Sequence, residues 1–188
     1  APKAPSAVKP PVKEAHSDFS PSISPMVAQK LCPNIDLTKH RYALINLWMS
    51  ADQKYPVMKT PLAFLDAQSV APEDLVDYFI HSGAVDEVKA WTGEMKPTFR
   101  TKLKLNGPGV ANESHAWFYY PKMVKNEAVI FKQYDSSMSE AQCCIHAAID
   151  LEEIGGPQPL PDRQSCEVRA LVVYEADDAK AVCCNIWR

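Results

Sequence analysis

A mainly β, antiparallel domain with one or two helices is what this sequence predicts, and three observations predict it. Most of its apolar residues fall in short, turn-bounded runs rich in aromatic and β-branched side chains, such as "RYALINLWMS", "AWFYY", "AVIFKQYD" and "SCEVRALVVYE". Only one stretch carries a clear helix-start pattern, and loops such as "NGPGVANE" and "DLEEIGGPQPLPDRQ" are too rich in glycine, proline and polar residues for regular structure. The chain has 188 residues, 46% of them hydrophobic, which suits one compact domain with a real core.

Residues 1–13 hold four prolines and three lysines and little to bury, so they are expected to form a disordered, proline-rich tail, with the domain occupying 14–188. "PSISPMVAQKL" then reads as a helical turn or two. In "RYALINLWMS", Tyr42, Leu44, Asn46 and Trp48 alternate with Ala43, Ile45, Leu47 and Met49 in the period of a well-buried strand. "TPLAFLDAQSV" reads as a second strand ended by Asp66 and Ser69. "PEDLVDYFI" reads as a helix, with acidic residues in its first turn and Leu75, Val76 and Phe79 on one face. "TFRTKLKL", "AWFYY" and "AVIFKQYD" read as three strands, the first two joined by "NGPGVANE" as a hairpin-like turn. "AQCCIHAAI" and "SCEVRALVVYE" are expected to be the last two strands. No internal repeat or heptad pattern occurs.

A formal charge of −3 and scattered basic residues give no attraction to nucleic acid or anionic lipid. No apolar run is long enough to span a bilayer and no secretory signal is recognisable, so no membrane association is expected and a cytoplasmic location is. The six cysteines include two adjacent pairs, Cys143–Cys144 and Cys183–Cys184, but no CxxC. Reduced, buried thiols are therefore expected rather than a disulfide framework or zinc ribbon.

The chemistry is concentrated in few residues. His16 and Asp18 are one residue apart, so in extended backbone both side chains point to one face and can take adjacent positions on a metal ion. A distant histidine would complete a set of two imidazoles and one carboxylate, which suits Fe(II) and leaves positions open. His40 stands in a basic strand start and His81 at the end of the expected helix, and both read as structural. His115 precedes the aromatic run. His146, in the apolar "QCCIHAAID", is the better candidate for the third ligand. Early H-x-D, a histidine on the penultimate strand and arginine on the last is the layout of a double-stranded β-helix oxygenase, a jelly-roll or cupin-like fold. Its co-substrate 2-oxoglutarate needs a fixed cation for its distal carboxylate. Arg163 and Arg169 alternate with Ser165 and Glu167 and both fit that role, and Lys132 is a further candidate. Trp48, Trp117, Phe118, Tyr119 and Tyr120 suit either an apolar pocket or the core. A redox role for Cys143 and Cys144 would need exposed thiols of low pKa, against which their apolar setting argues.

Six blocks in order, "PPVKEAHSDFSP", "YALINLWMSADQKYPVMKTPLAFLDAQSV", "HAWFYYPKM", "AVIFKQYDS", "CCIHAAID" and "DRQSCEVRALVVYE", resemble the hydroxylase/desaturase family of fungal and bacterial secondary metabolism. The resemblance runs from about Pro10 to Tyr174. It implies a non-haem Fe(II), 2-oxoglutarate-dependent dioxygenase acting on a small-molecule substrate by hydroxylation or desaturation. It places iron ligands at His16, Asp18 and His146, and Arg163 and Arg169 in the block that holds 2-oxoglutarate, with Arg163 favoured as nearer in sequence to His146. Departures from the family pattern are Met49 and Ser50 after the tryptophan, Ile145 and Ala147 around His146, and a long segment over 85–114. Only 15 residues precede His16. An oligomer or an N-terminal partner that completes the barrel is therefore part of the expectation, and so is the alternative of a catalytically silent binding module.

Overall fold

The computed structural model describes residues 10–80, 98–103, 114–151, 160–175 and 181–187. Its strands are β1 (His16–Ser17), β2 (Tyr42–Ser50), β3 (Leu62–Leu65), β4 (Leu75–Ile80), β5 (Thr98–Leu103), β6 (Trp117–Tyr119), β7 (Ala128–Asp135), β8 (His146–Ala148), β9 (Ser165–Tyr174) and β10 (Ala181–Trp187), with one α-helix, α1 (Ser24–Leu31), among the described residues. Two antiparallel sheets result, a six-stranded one in the order β4-β5-β1-β8-β3-β6 and a four-stranded one in the order β10-β9-β2-β7. This is the mainly β, double-stranded β-helix architecture that the sequence predicts.

Strand β2 shows why the sheets enclose what they do. Its inward face reads Tyr42, Leu44, Asn46, Trp48, and register carries each level onto β9, where Leu44 faces Leu171, Asn46 faces Arg169 and Trp48 faces Glu167. One end of the interior is an apolar cluster of Tyr42, Leu44, Tyr134, Leu171 and Val173, capped by Val27 and Ala28 of α1. At the other end, Trp48, Val57, Met123 and Phe131 pack with Leu62 and Phe64 of the opposite sheet. Between these two clusters lies a polar level containing Asn46, Arg169 and Glu167. Helix α1 has proline in its first turn, and it stops at Cys32 because Pro33 disfavours helical backbone in the residue before it.

Two sequence expectations are corrected. "PEDLVDYFI" is not a helix: Pro72–Asp74 form one 3-10 turn, in which the Asp74 carboxylate accepts the Ala71 N–H at 3.1 Å, and the chain then becomes strand β4, antiparallel to β5. The acidic turn is real, but the run from Leu75 to Ile80 is β-branched and aromatic and finds a partner strand, which overrides helical propensity. Strands β5 and β6 do not form a hairpin, because β5 sits between β4 and β1 while β6 pairs with β3. The loop "NGPGVANE" itself, His81 and residues 1–9 lie outside the described residues. The folded part reaches back at least to Val12, whose carbonyl accepts the Ala148 N–H at 2.8 Å. Arginine is not on the final strand either, since β10 follows β9 and pairs with it.

Candidate metal centre

The ligand-bearing strand β1 is only two residues long, and its position is set by its neighbours. It pairs with β8 so that His16 stands directly opposite His146, and their rings lie 4.7 Å apart. Asp18 follows on the same face as His16, as its spacing predicts. One nitrogen from each imidazole and one carboxylate oxygen of Asp18 all lie within 4.8 Å of one another, and all three residues are buried. His16 Nε2 is 3.6 Å from Asp18 Oδ1.

The far side of each imidazole is fixed. His16 Nδ1 donates to the Glu14 carbonyl at 2.6 Å, and His146 Nδ1 donates to the Cys144 carbonyl at 3.1 Å. Each ring thus keeps Nε2 as the nitrogen left for a ligand role, the arrangement that orients histidine on a metal. Burial holds the His146 imidazole below its ordinary pKa in spite of the Asp18 charge, which keeps the ring neutral as a ligand must be. Phe131 lies edge-on to His146, with ring centroids 5.0 Å apart, and Phe64 packs on Phe131 at 4.9 Å. Two imidazoles and a carboxylate on one face, walled by aromatic rings, fit a divalent first-row ion such as Fe(II) and leave coordination positions open.

The two oxygens of Asp18 have different surroundings. Oδ2 accepts from Gln133 Nε2 at 3.0 Å and from Arg169 Nη2 at 2.9 Å. Arg169 also donates to Glu167, whose other oxygen accepts from Asn46 Nδ2 at 3.1 Å. Gln133, fully buried, holds the backbone of the ligand segment as well: its Oε1 accepts from the Asp18 N–H at 3.1 Å and from Ser17 Oγ at 3.2 Å, and its carbonyl accepts from Ser17 Oγ at 3.0 Å. Sequence reasoning missed Gln133 and Asn46. The available signal for Gln133 was a one-residue slip in the apolar alternation of β7, from Val129 and Phe131 to Tyr134.

The basic candidates separate. Arg169 is committed to Asp18 and Glu167. Arg163 is mostly buried, its Nη1 donating to the Thr60 carbonyl at 2.6 Å and its guanidinium lying 5.4 Å from the centroid of Trp48. Its Nε has no hydrogen-bond partner among the described residues, and burial lowers its pKa from the ordinary value. Lys132 is not brought to the three ligands. It pairs with Ile45 on the face of β2 opposite Asn46 and Trp48, and its Nζ donates to Asp135 Oδ2 at 2.9 Å. His115 pairs with Asp74 at 3.0 Å and His40 donates to the Tyr174 carbonyl at 3.1 Å, so both are structural, as read from the sequence for His40. Burial pushes the Cys143 and Cys144 thiols up to about 11 and about 12, which removes the thiolate that redox chemistry needs. Phe118 and Tyr120 are exposed at the edge of the six-stranded sheet and are not core, while Trp48 is.

The family described as "oxidoreductase/YMDC permease-like domain" matches residues 2–173. No helix among the described residues is long and apolar enough to cross a membrane. Among curated proteins, the chain is 26% identical over 164 residues to an Fe(II)/2-oxoglutarate-dependent dioxygenase of Aspergillus novofumigatus, covering 86% of the chain and 52% of that relative. It is 30% identical over 173 residues to a hydroxylase/desaturase of Hormonema carpetanum (88% and 52%), and 32% identical over 145 residues to a hydroxylase/desaturase of Aspergillus flavus (74% and 58%). The chain thus spans about half the length of the curated relatives it matches. A solved structure of the iron and alpha-ketoglutarate-dependent endoperoxidase NvfI superposes with a TM-score of 0.70 at 23% identity, covering 91% of this chain and 57% of that one. The resemblance drawn from the six sequence blocks agrees with these relatives.

Proposed function

This chain belongs to the oxidoreductase/YMDC permease-like domain family, and we propose that it is the Fe(II)- and 2-oxoglutarate-dependent oxygenase domain of an enzyme that hydroxylates or desaturates a small organic substrate of secondary metabolism. The observation that carries the proposal is the convergence of His16, Asp18 and His146, each with its remaining polar atoms already bonded elsewhere, at a buried point between two sheets. The names of the relatives supply the co-substrate. A silent binding module would tolerate loss of a ligand, and none of the three is replaced.

In this reading His16 Nε2, His146 Nε2 and Asp18 Oδ1 hold the iron. Fe(II) held there would supply activation of dioxygen, which oxidises 2-oxoglutarate to succinate and CO2 and the substrate with it. The chain's own residues orient and enclose. Phe131 lies against His146 and packs in one apolar cluster with Phe64 and Trp48, which keeps water from competing for the site. Arg163 anchors the distal carboxylate of 2-oxoglutarate: it stands at the Trp48 end of the interior, no ion pair among the described residues occupies it, and its Nε awaits an acceptor. Arg169 does not take that role, because Asp18 and Glu167 already occupy it. The location proposed is cytoplasmic. An oligomeric partner is proposed to meet β6, which has no second neighbour among the described strands.

Calorimetric titration of 2-oxoglutarate into the Mn(II)-loaded chain tests the assignment. Binding is expected only with metal present. Arg163→Met is expected to weaken it roughly 10- to 100-fold, the worth of a charge-assisted hydrogen-bond pair, with metal affinity unchanged. Arg169→Met is expected to weaken the metal first. Metal-loaded chain that takes up no 2-oxoglutarate would overturn the function, and a reversed pattern between the two arginines would exchange their roles.

A further inference from the structure

Strand β7 is interrupted where it passes Asp18. Opposite β2, Leu44 pairs with Tyr134 and the next residue, Ile45, pairs with Lys132, so Gln133 is one extra residue with no partner in the ladder. Such a bulge bends its strand and re-aims a side chain. Without it, a regular alternation that points Phe131 and Tyr134 to the interior is impossible, and Gln133 is the residue that absorbs the slip. Its side chain crosses to the other sheet and makes three of its contacts with the Ser17–Asp18 segment, at 3.0, 3.1 and 3.2 Å.

We infer that Gln133 is a positioning residue for the metal, its bulged amide holding Asp18 Oδ2 so that Asp18 presents Oδ1 alone to the ion. This rests on the metal reading proposed above. A two-residue strand has few backbone bonds with which to fix the carboxylate that follows it, and the bonds from Gln133 replace them. The carboxamide is suited to the task because it does two opposite things at once. Oε1 accepts from the Asp18 N–H, which sets the backbone, while Nε2 donates to Oδ2, which sets the rotation of the carboxylate. Arg169 shares Oδ2 from the side of β9, and Glu167 balances its charge, so the clamp adds no net charge to the metal site. A carboxylate with one oxygen doubly occupied binds a metal through the other, and the coordination position that a bidentate aspartate would close stays open for co-substrate.

The test uses Co(II), a redox-stable probe, on the full chain. Gln133→Glu keeps the acceptor toward the Asp18 N–H and Ser17 but replaces the donor with an oxygen that repels Oδ2; Gln133→Met keeps the volume and removes both functions. Each is expected to raise the Co(II) dissociation constant roughly 10- to 100-fold, the usual cost of losing an outer partner of a ligand. The visible d–d band should change with it, while far-UV circular dichroism does not. Ile130→Ser, at an exposed position of the same strand, should bind and absorb like the parent. Equal affinities within twofold and superposable spectra for parent and both Gln133 variants would overturn the inference and leave the metal reading intact. A folded parent that binds no Co(II) would overturn the metal reading and this inference with it. Difference infrared spectroscopy of the parent needs no variant: the carboxylate splitting of a monodentate ligand is expected, and a bidentate splitting would sink the clamp.

Discussion

Asp18, a proposed ligand, and Asp135 are both buried carboxylates with different surroundings. Asp135 has both oxygens spoken for: Arg41 Nε and Nη2 reach Oδ1 and Oδ2 at 3.1 and 2.7 Å, and Lys132 adds a bond to Oδ2. Burial alone would raise its pKa, but Arg41, the Ser137 N–H and Lys132 outweigh it and bring the value from 3.8 down to about 2. Its folded pKa is depressed, so its contribution to stability is full above about pH 4 and is lost as pH falls toward 2. Asp135→Asn is therefore expected to cost about 1–3 kcal/mol at pH 7, because Arg41 is partly exposed and keeps some hydration. Denaturant titrations across pH should show that difference shrinking in acid; a difference that does not vary with pH would contradict the account. At Asp18, Oδ2 takes the bonds from Gln133 and Arg169, while Oδ1 lies 3.6 Å from His16 Nε2. That His16 and Asp18 share a face was legible in the sequence, since alternation alone puts them there. The sequence favoured Arg163 for 2-oxoglutarate only by its nearness to His146; that Arg169 pairs with Asp18 depends on how the two sheets dock, which spacing does not carry.

At the scale of elements, the legible strands were those whose pattern is local. Strand β2 could be read from its alternation, and β7 nearly so, its bulge appearing only as a slip between Phe131 and Tyr134. Strand β4 was misread because an acidic proline turn also begins helices, and β10 was not read at all because its membership depends on pairing with β9. Strand β6 presents aromatic side chains to the surface. It is three residues long, forms one edge of the six-stranded sheet among the described strands, and leaves Phe118 60% exposed, with Tyr120 just beyond it 58% exposed. An aromatic edge with no further partner among the described strands favours a second chain as its cover. With a second copy as that cover, sedimentation equilibrium should return twice the 20.9 kDa chain mass, and Phe118→Lys should return it to one. A parent that sediments as a single chain at all concentrations would rule out that copy.

At the scale of the molecule, two of the three apolar clusters among the described residues flank a polar level, the third lying around Leu65 and Ile145, and the proposed iron ligands sit at that level. The apolar clusters fix how the sheets face each other, and that docking brings Gln133 and Arg169 of one sheet to Asp18 beside the other. Strand order was not legible in the sequence, because β1 lies between β5 and β8 through pairings that span most of the chain. The mainly β class and the early H-x-D with a late histidine were legible, because each rests on spacing rather than on long-range pairing. The chain spans about half of its curated relatives, so a direct test concerns what this half can bind. The measurement is the weak visible metal-to-ligand band of the anaerobic complex with Fe(II) and 2-oxoglutarate, recorded for the parent and for His146→Ala. The account predicts a band in the parent that is absent from the variant; a folded parent without the band, or a variant that retains it, would contradict the assignment of His16, Asp18 and His146 as the iron site.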